Sequence, residues 1–139
     1  MISVDSSIVV AGFAPWHQLH LQALDTLDER PALPAHAALE AYSVLTRLPQ
    51  PGRASGDIAA RFLADRFQEP WLTLPGARQR EVLLELGRES IVGGAVYDAL
   101  IAATARHHEL LLVTADPRAA GTYARLGVTV RMVGSDALI

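Results

Sequence analysis

The stretch Leu110-Leu-Leu-Val-Thr-Ala-Asp-Pro117 decides the fold. It reads as a buried strand over 110–113 closed by a polar turn, and its proline suits the first position of a helix. The apolar periodicity predicts that helix over 118–126, Gly127 ends it, and residues 128–133 predict another strand. A strand, a helix and a second strand in this order form a βαβ unit, whose two strands run parallel.

The rest of the chain alternates in the same way. Ile2–Val4 is predicted to be a strand, Pro31–Pro34 a break or short strand, and Trp71–Leu74 a further strand. Helices are predicted over residues 6–12, 15–27, 35–48, 55–67, 78–89 (with Val82, Leu83 and Leu86 inward) and 95–107. Short strands separated by helices favour an α/β fold with a central parallel sheet covered on both faces. We expect a single domain over residues 1–139.

Composition excludes several classes of protein. Of the 139 residues, 50% are hydrophobic and 19% charged, which excludes a disordered chain. Cysteine is absent, so disulfides, thiolate metal sites and cysteine nucleophiles are excluded. All 12 basic residues are arginine, and the lack of lysine excludes Schiff-base enzymes and the Walker A mechanism. No apolar run is long enough to span a bilayer and no signal peptide is recognisable, so we expect a cytoplasmic protein without membrane contact.

Four carboxylates lie in unusually apolar surroundings. An unpaired buried carboxylate costs several kcal/mol, so each needs a partner or a cation. Two of them directly follow predicted strands, and the carboxyl edge of a parallel sheet is where ligands bind. Oxygen ligands alone favour Mg²⁺ or Mn²⁺ over zinc. The four candidate metal ligands are Asp5, Glu40, Asp98 and Asp116.

Each of these carboxylates also has a purely structural interpretation. Asp5 before two serines and Asp116 before a proline both suit the N-cap of a helix. Glu40 could be an ordinary surface residue, and Asp98 could lie on an exposed strip of an otherwise buried helix. The joint pattern of all four favours one acidic site over four separate explanations.

The same residues carry a resemblance to a known family. An apolar segment before Asp5-Ser-Ser, Glu40 in an Ala/Leu helix, Tyr97-Asp98-Ala-Leu-Ile-Ala-Ala, and Leu-Val-Thr114-Ala-Asp116 resemble the PIN-domain nucleases. The length and layout look like the VapC-type toxins of bacterial toxin–antitoxin pairs. One departure is that Pro117-Arg118-Ala119 stands where the family has an aromatic residue after the last aspartate.

The resemblance implies a three-layer α/β/α fold and Mg²⁺- or Mn²⁺-dependent cleavage of RNA. It also implies a cognate antitoxin as partner and a homodimer. Asp5, Glu40, Asp98 and Asp116 match the acidic catalytic site of the family, and Thr114 matches its accessory hydroxyl. A metal held by carboxylates activates water and neutralises charge on the scissile phosphate, so we expect an endoribonuclease that hydrolyses phosphodiester bonds directly.

Contacts with RNA must come from arginines. The formal net charge is −3, and a cation that neutralises four site carboxylates leaves only modest repulsion of RNA. Arg47, Arg53 and Arg118 lie near the ends of helices that carry the motifs, and they are the candidate phosphate contacts.

Of three other interpretations, the sequence argues against two, since it has no lysine and no Asp-x-Asp after the first strand. A receiver domain needs a lysine, and a haloacid-dehalogenase-type phosphatase needs Asp-x-Asp where this chain has Ser7. The serious alternative is a catalytically silent PIN-like module that binds RNA or protein without cleavage. A metal-dependent cleavage assay separates that module from an enzyme.

Overall fold

The computed structural model describes residues 1–134. The last five residues of the predicted domain, 135–139, lie outside the described range. The elements, in chain order, are β1 (Ile2–Val4), α1 (Ser6–Phe13), α2 (His20–Asp28), α3 (Ala35–Thr46), α4 (Gly56–Arg66), α5 (Gly76–Arg88), α6 (Ala95–His107), β2 (Leu111–Thr114), α7 (Pro117–Arg125) and β3 (Val130–Met132).

The sheet is parallel, and its strand order is β1-β2-β3. Ser3 lies opposite Leu112, and Val113 lies opposite Arg131. An isolated parallel bridge between Ser3 and Ala32 extends the sheet beyond β1. The predicted α/β fold with a central parallel sheet is therefore confirmed.

The core forms where the central strand meets the helices. Val113 in β2 and Ile8 in α1 are fully buried, and α1, α6 and α7 all contact β2. Helix α6 is rich in buried alanine, with Ala99, Ala102 and Ala105 fully buried. Small side chains let a helix approach its neighbours closely, so the backbone of α6 lies deep in the molecule.

Local sequence signals set the starts and ends of several helices. Asp5 caps α1, Ser55 caps α4 and Asp116 caps α7, each by accepting from a backbone N–H in the first turn. Pro117 is the first residue of α7, as predicted. Gly127 follows α7 with φ of +76°, a conformation that glycine adopts without strain.

Several predicted details are wrong. Helix α2 begins at His20 instead of Pro15, because residues 15–19 form turns in which His17 accepts from the backbone N–H of Leu19. Trp71–Leu74 forms only one bridge, at Leu72, instead of a strand. Leu83 is 65% exposed instead of inward.

Two predicted elements, a helix and a strand, are longer than the ones observed. Helix α3 ends at Thr46, two residues before the predicted end, and β3 is shorter than the predicted strand 128–133. Within residues 1–134, no helix is both long and apolar enough to cross a bilayer.

Candidate active site

The site lies at the carboxyl edge of the sheet. Asp5 follows β1, and Asp116 comes two residues after β2. Because β1 and β2 are paired in parallel, their carboxyl ends lie at the same edge. Glu40 lies in the middle of α3 and Asp98 in the first turn of α6, and both helices contact each other. Four separate elements thus supply the four predicted carboxylates.

Asp5 is the buried carboxylate of the site. It is 2% exposed, and its Oδ1 accepts from the backbone N–H groups of Ser7 at 3.0 Å and Ile8 at 3.3 Å, and from Ser7 Oγ at 2.6 Å. Its Oδ2 accepts from Thr114 Oγ1 and from the hydroxyl of Tyr123 at 2.8 Å. Burial raises the pKa of Asp5, and these hydrogen bonds oppose the rise by stabilising the charged form.

Hydrogen bonds from two hydroxyl groups link the carboxyl ends of β1 and β2. Thr114 is fully buried, and its Oγ1 both donates to Asp5 and accepts from the backbone N–H of Asp116 at 3.1 Å. Ser7 Oγ accepts from the backbone N–H of Ala115 at 2.8 Å. A serine from α1 and a threonine from β2 therefore fix the two aspartate-bearing turns relative to each other.

Glu40 and Asp116 are half-buried and hold local partners. Glu40 Oε1 accepts from Ser6 Oγ, which links α3 to the start of α1. Asp116 Oδ1 accepts from the backbone N–H of Arg118 at 3.0 Å as it caps α7. The capping interpretation of Asp116 is thus correct, and capping leaves its second carboxylate oxygen for another ligand.

The negative charges of the other three carboxylates contribute to the pKa of Asp98. Its pKa is raised to about 6, first by burial and then by the negative charges of Glu40, Asp116 and Asp5. The positive charge of Arg118 lowers that pKa. A raised carboxyl pKa caused by neighbouring acids is a feature of functional sites that concentrate negative charge.

The side chains do not form a closed ligand set as they stand. Within residues 1–134, no group of three or more acidic or histidine side chains lies close enough together to hold a metal ion. Like charges repel, and Asp5, Glu40 and Asp116 each accept from nearby hydroxyl or amide donors. In this acidic cluster of Asp5, Glu40, Asp98 and Asp116, three carboxylates thus already have local hydrogen-bond partners.

The three candidate arginines differ in their relation to this cluster. Arg118 lies in the first turn of α7, where its backbone N–H donates to Asp116 Oδ1 at 3.0 Å, and its positive charge lowers the pKa of Asp98. Arg47 is the C-cap of α3, about 10 Å along the helix axis from Glu40. Arg53 Nε donates to the backbone carbonyl of Leu48 at 2.8 Å, within the loop after α3. The structure thus places one of the three beside the carboxylates.

Sequence reasoning missed the polar residues that support the carboxylates. Ser6 donates to Glu40 and Ser7 donates to Asp5, and the position of the two serines directly after Asp5 is the sequence signal for such contacts. Tyr123 carries no such signal, because it lies on the buried face of α7 and reaches Asp5 only in the folded chain.

A parallel α/β sheet with carboxylates gathered at its carboxyl edge defines an α/β protein with an acidic ligand site. The PIN domain sequence pattern matches residues 2–124. The chain is 44% identical over 133 residues to Ribonuclease VapC40 of Mycobacterium tuberculosis (strain CDC 1551 / Oshkosh), covering 96% of this chain and 99% of that protein. The chain belongs to the PIN-domain family, as a ribonuclease of the VapC type.

A second relative supports that assignment, and a solved structure supports the fold. Ribonuclease VapC27 of Mycobacterium tuberculosis (strain ATCC 25618 / H37Rv) is 40% identical over 130 residues, covering 93% of this chain and 94% of that one. FitAcB from Neisseria gonorrhoeae shares the fold with a TM-score of 0.67 at 20% identity, covering 94% of this chain and 96% of the other. The family resemblance seen in the sequence motifs and the expectation of a ribonuclease toxin are both confirmed.

Proposed function

We propose that this ribonuclease toxin depends on a divalent metal and hydrolyses phosphodiester bonds within RNA. The observation that carries the proposal is geometric: Asp5 and Asp116 follow two paired parallel strands at one edge of the sheet, and Glu40 and Asp98 lie on two helices that contact each other. The 44% identity to Ribonuclease VapC40 supports RNA as the substrate. The proposed catalytic residues are Asp5, Glu40, Asp98 and Asp116, with Thr114 as the accessory hydroxyl.

The chemistry of the donor set fits a hard divalent cation. All four proposed ligands are carboxylates, and oxygen donors suit Mg²⁺ or Mn²⁺. Burial and then the charges of three other carboxylates raise the pKa of Asp98, so a cation that offsets this negative charge is bound favourably. When bound, such a cation neutralises charge on the scissile phosphate and lowers the pKa of a water molecule.

The chain's own residues prepare the site for that reaction. Thr114 and Ser7 hold the Asp5 carboxylate in one orientation, and Ser6 holds Glu40. Asp98, with a pKa of about 6, is mostly ionised at neutral pH. Arg118 lies within electrostatic reach of Asp98 and supplies positive charge for an RNA phosphate. We assign Arg47 and Arg53 to phosphates farther along the RNA.

The partners follow from the same proposal. A nuclease toxin damages the RNA of its own cell unless a partner inhibits it, and we propose a cognate antitoxin for that role. We also propose a homodimer and action in the cytoplasm, where cellular RNA is found. That one PIN domain fills residues 1–139 stays a prediction, since the family pattern matches 2–124.

Cleavage of RNA by matched variants tests the assignment. Wild-type protein in Mn²⁺ should cleave total RNA, EDTA should stop cleavage, and Asp98→Asn or Asp5→Asn should abolish it while the protein still folds. Asp57→Asn is the matched control, because Asp57 forms an exposed ion pair with Arg61 on α4. More than a tenth of wild-type cleavage in both site variants would contradict the assignment. RNA binding without cleavage would favour the silent binding module.

Growth arrest tests the toxin role separately. Induced expression of the wild-type chain alone should stop growth, and sequencing of new RNA 5′ ends should locate the cleaved bonds. Asp98→Asn should relieve the arrest, whereas Asp57→Asn should not. Normal growth with the wild-type chain in several hosts would contradict the toxin role without affecting the cleavage assay.

A further inference from the structure

Two aromatic rings stack beside the acidic cluster. The ring centroids of His36 and Tyr97 are 5.3 Å apart, and the ring planes differ by 8°. His36 lies one helical turn before Glu40 on α3, about 6 Å along the helix axis. Tyr97 directly precedes Asp98 on α6. The stack therefore bridges the two helices at the level where each supplies a carboxylate.

Tyr97 is the more exposed ring of this stack. Tyr97 is 53% exposed, and His36 is half-buried. The imidazole of His36 covers part of one face of the phenol ring, and the 53% exposure of Tyr97 leaves ring area accessible to a ligand. The contact with His36 limits how the exposed ring can turn, so a flat ligand meets a platform that is already oriented.

We propose that the His36–Tyr97 stack is a binding site for one nucleobase of single-stranded RNA, next to the phosphate held at the acidic cluster. This inference rests on the proposed function. Single-stranded RNA presents unpaired bases, which proteins commonly bind by stacking on tyrosine and histidine rings. A base has no net charge, so Glu40 and Asp98 do not repel it as they repel a phosphate.

Different residues of one site then bind the phosphate and the base. Arg118 and the cation-binding carboxylates act on the phosphate, while the stack acts on the adjoining base. Stacking tolerates every base, since each has a π face. Loss of the exposed ring should therefore weaken binding of any single-stranded sequence that carries bases.

Binding of two probes tests this directly. The probes are a fluorescein-labelled ten-nucleotide RNA of mixed sequence and an abasic ribose-phosphate chain of the same length. All proteins carry Asp116→Asn, which prevents cleavage and keeps a residue that caps α7 well. Fluorescence anisotropy in Mg²⁺ then gives the dissociation constants.

Tyr97→Leu should weaken binding of the base-bearing RNA about tenfold, a typical loss for one base stack, and should leave binding of the abasic chain unchanged. Tyr97→Trp should restore binding of the RNA. Tyr42→Leu is the matched control, since Tyr42 is a partly exposed tyrosine on α3 about 200° around the helix from Glu40.

Each outcome decides the question. Equal affinity of Tyr97→Leu and its parent for the RNA overturns the stacking site while the proposed ribonuclease stands. An equal loss on both probes overturns it as well, because a base stack cannot act on an abasic chain. A parent protein that binds neither probe, together with wild-type protein that fails to cleave RNA, overturns both proposals.

Discussion

The hydroxyl of Tyr123 donates a 2.8 Å hydrogen bond to Oδ2 of Asp5, across 118 positions of the chain. Both residues are buried, with Tyr123 1% and Asp5 2% exposed. Burial and the charge of Asp5 raise the pKa of the Tyr123 hydroxyl, so it remains a hydrogen-bond donor. The last helix thereby holds the first carboxylate of the site.

Tyr123→Phe should lower the free energy of unfolding by about 2 kcal/mol, because a buried carboxylate loses a charge-assisted hydrogen bond without a change in packing volume. Denaturant unfolding in EDTA measures this. Tyr42→Phe, at a partly exposed tyrosine, should change the unfolding free energy by less than about 0.5 kcal/mol. Coincident unfolding curves for Tyr123→Phe and wild type would show that the bond does not stabilise the fold.

The raised pKa of Asp98 should make the metal-free protein less stable as pH rises. Its ordinary value is 3.8 and its folded value about 6, so between these pH values the folded state binds more protons than the unfolded state. The free energy of unfolding therefore falls from about pH 4 to pH 6 and levels off above. Asp5, whose pKa is also raised, contributes with the same sign.

Asp98→Asn should reduce that slope. At pH 7 in EDTA we expect the variant to be more stable than wild type by about 1 kcal/mol, after allowance for solvent screening of a half-exposed carboxyl. Thermal melts from pH 4 to pH 8 measure the effect, with Asp57→Asn as the control. Parallel pH profiles for Asp98→Asn and wild type would contradict the charge repulsion assigned to this residue.

Divalent metal should stabilise the wild-type fold. A ligand that binds only the native state contributes about 2.7 kcal/mol at a hundredfold excess over its dissociation constant. Mn²⁺ should therefore raise the melting temperature of wild type at pH 7, and should raise that of Asp98→Asn much less. Unchanged melting temperatures up to millimolar Mn²⁺ would mean that the four carboxylates do not form one metal site.

Arg118→Gln should weaken RNA binding more than Arg47→Gln or Arg53→Gln. Of the three arginines, Arg118 is the one whose charge acts on Asp98. Removal of one phosphate contact should reduce the slope of log affinity against log salt by about 1. Titrations at several salt concentrations with a ten-nucleotide RNA give these slopes. A larger effect of Arg47→Gln would place the RNA along the carboxyl end of α3 instead.

Local patterns predicted most of the fold. Helix α6 has the predicted bounds, and β1 has the predicted bounds as well. Patterns failed at two places for different reasons: His17 holds a local turn ahead of α2 by accepting from Leu19, and Leu72 forms one bridge, to Pro34, instead of a strand. The Leu72 bridge depends on a neighbour that is distant in the chain.

By itself, the sequence determined the parallel α/β class and the four acidic candidates, because hydrophobic periodicity, turn residues and carboxylates in apolar segments are local properties. Only the tertiary structure decided the hydroxyl contacts of Asp5, the Ser6–Glu40 link and the His36–Tyr97 stack. These join residues from separate elements, so their geometry depends on how helices pack on the sheet. The charge that shifts Asp98 has the same origin, since it comes from carboxylates that only folding brings near.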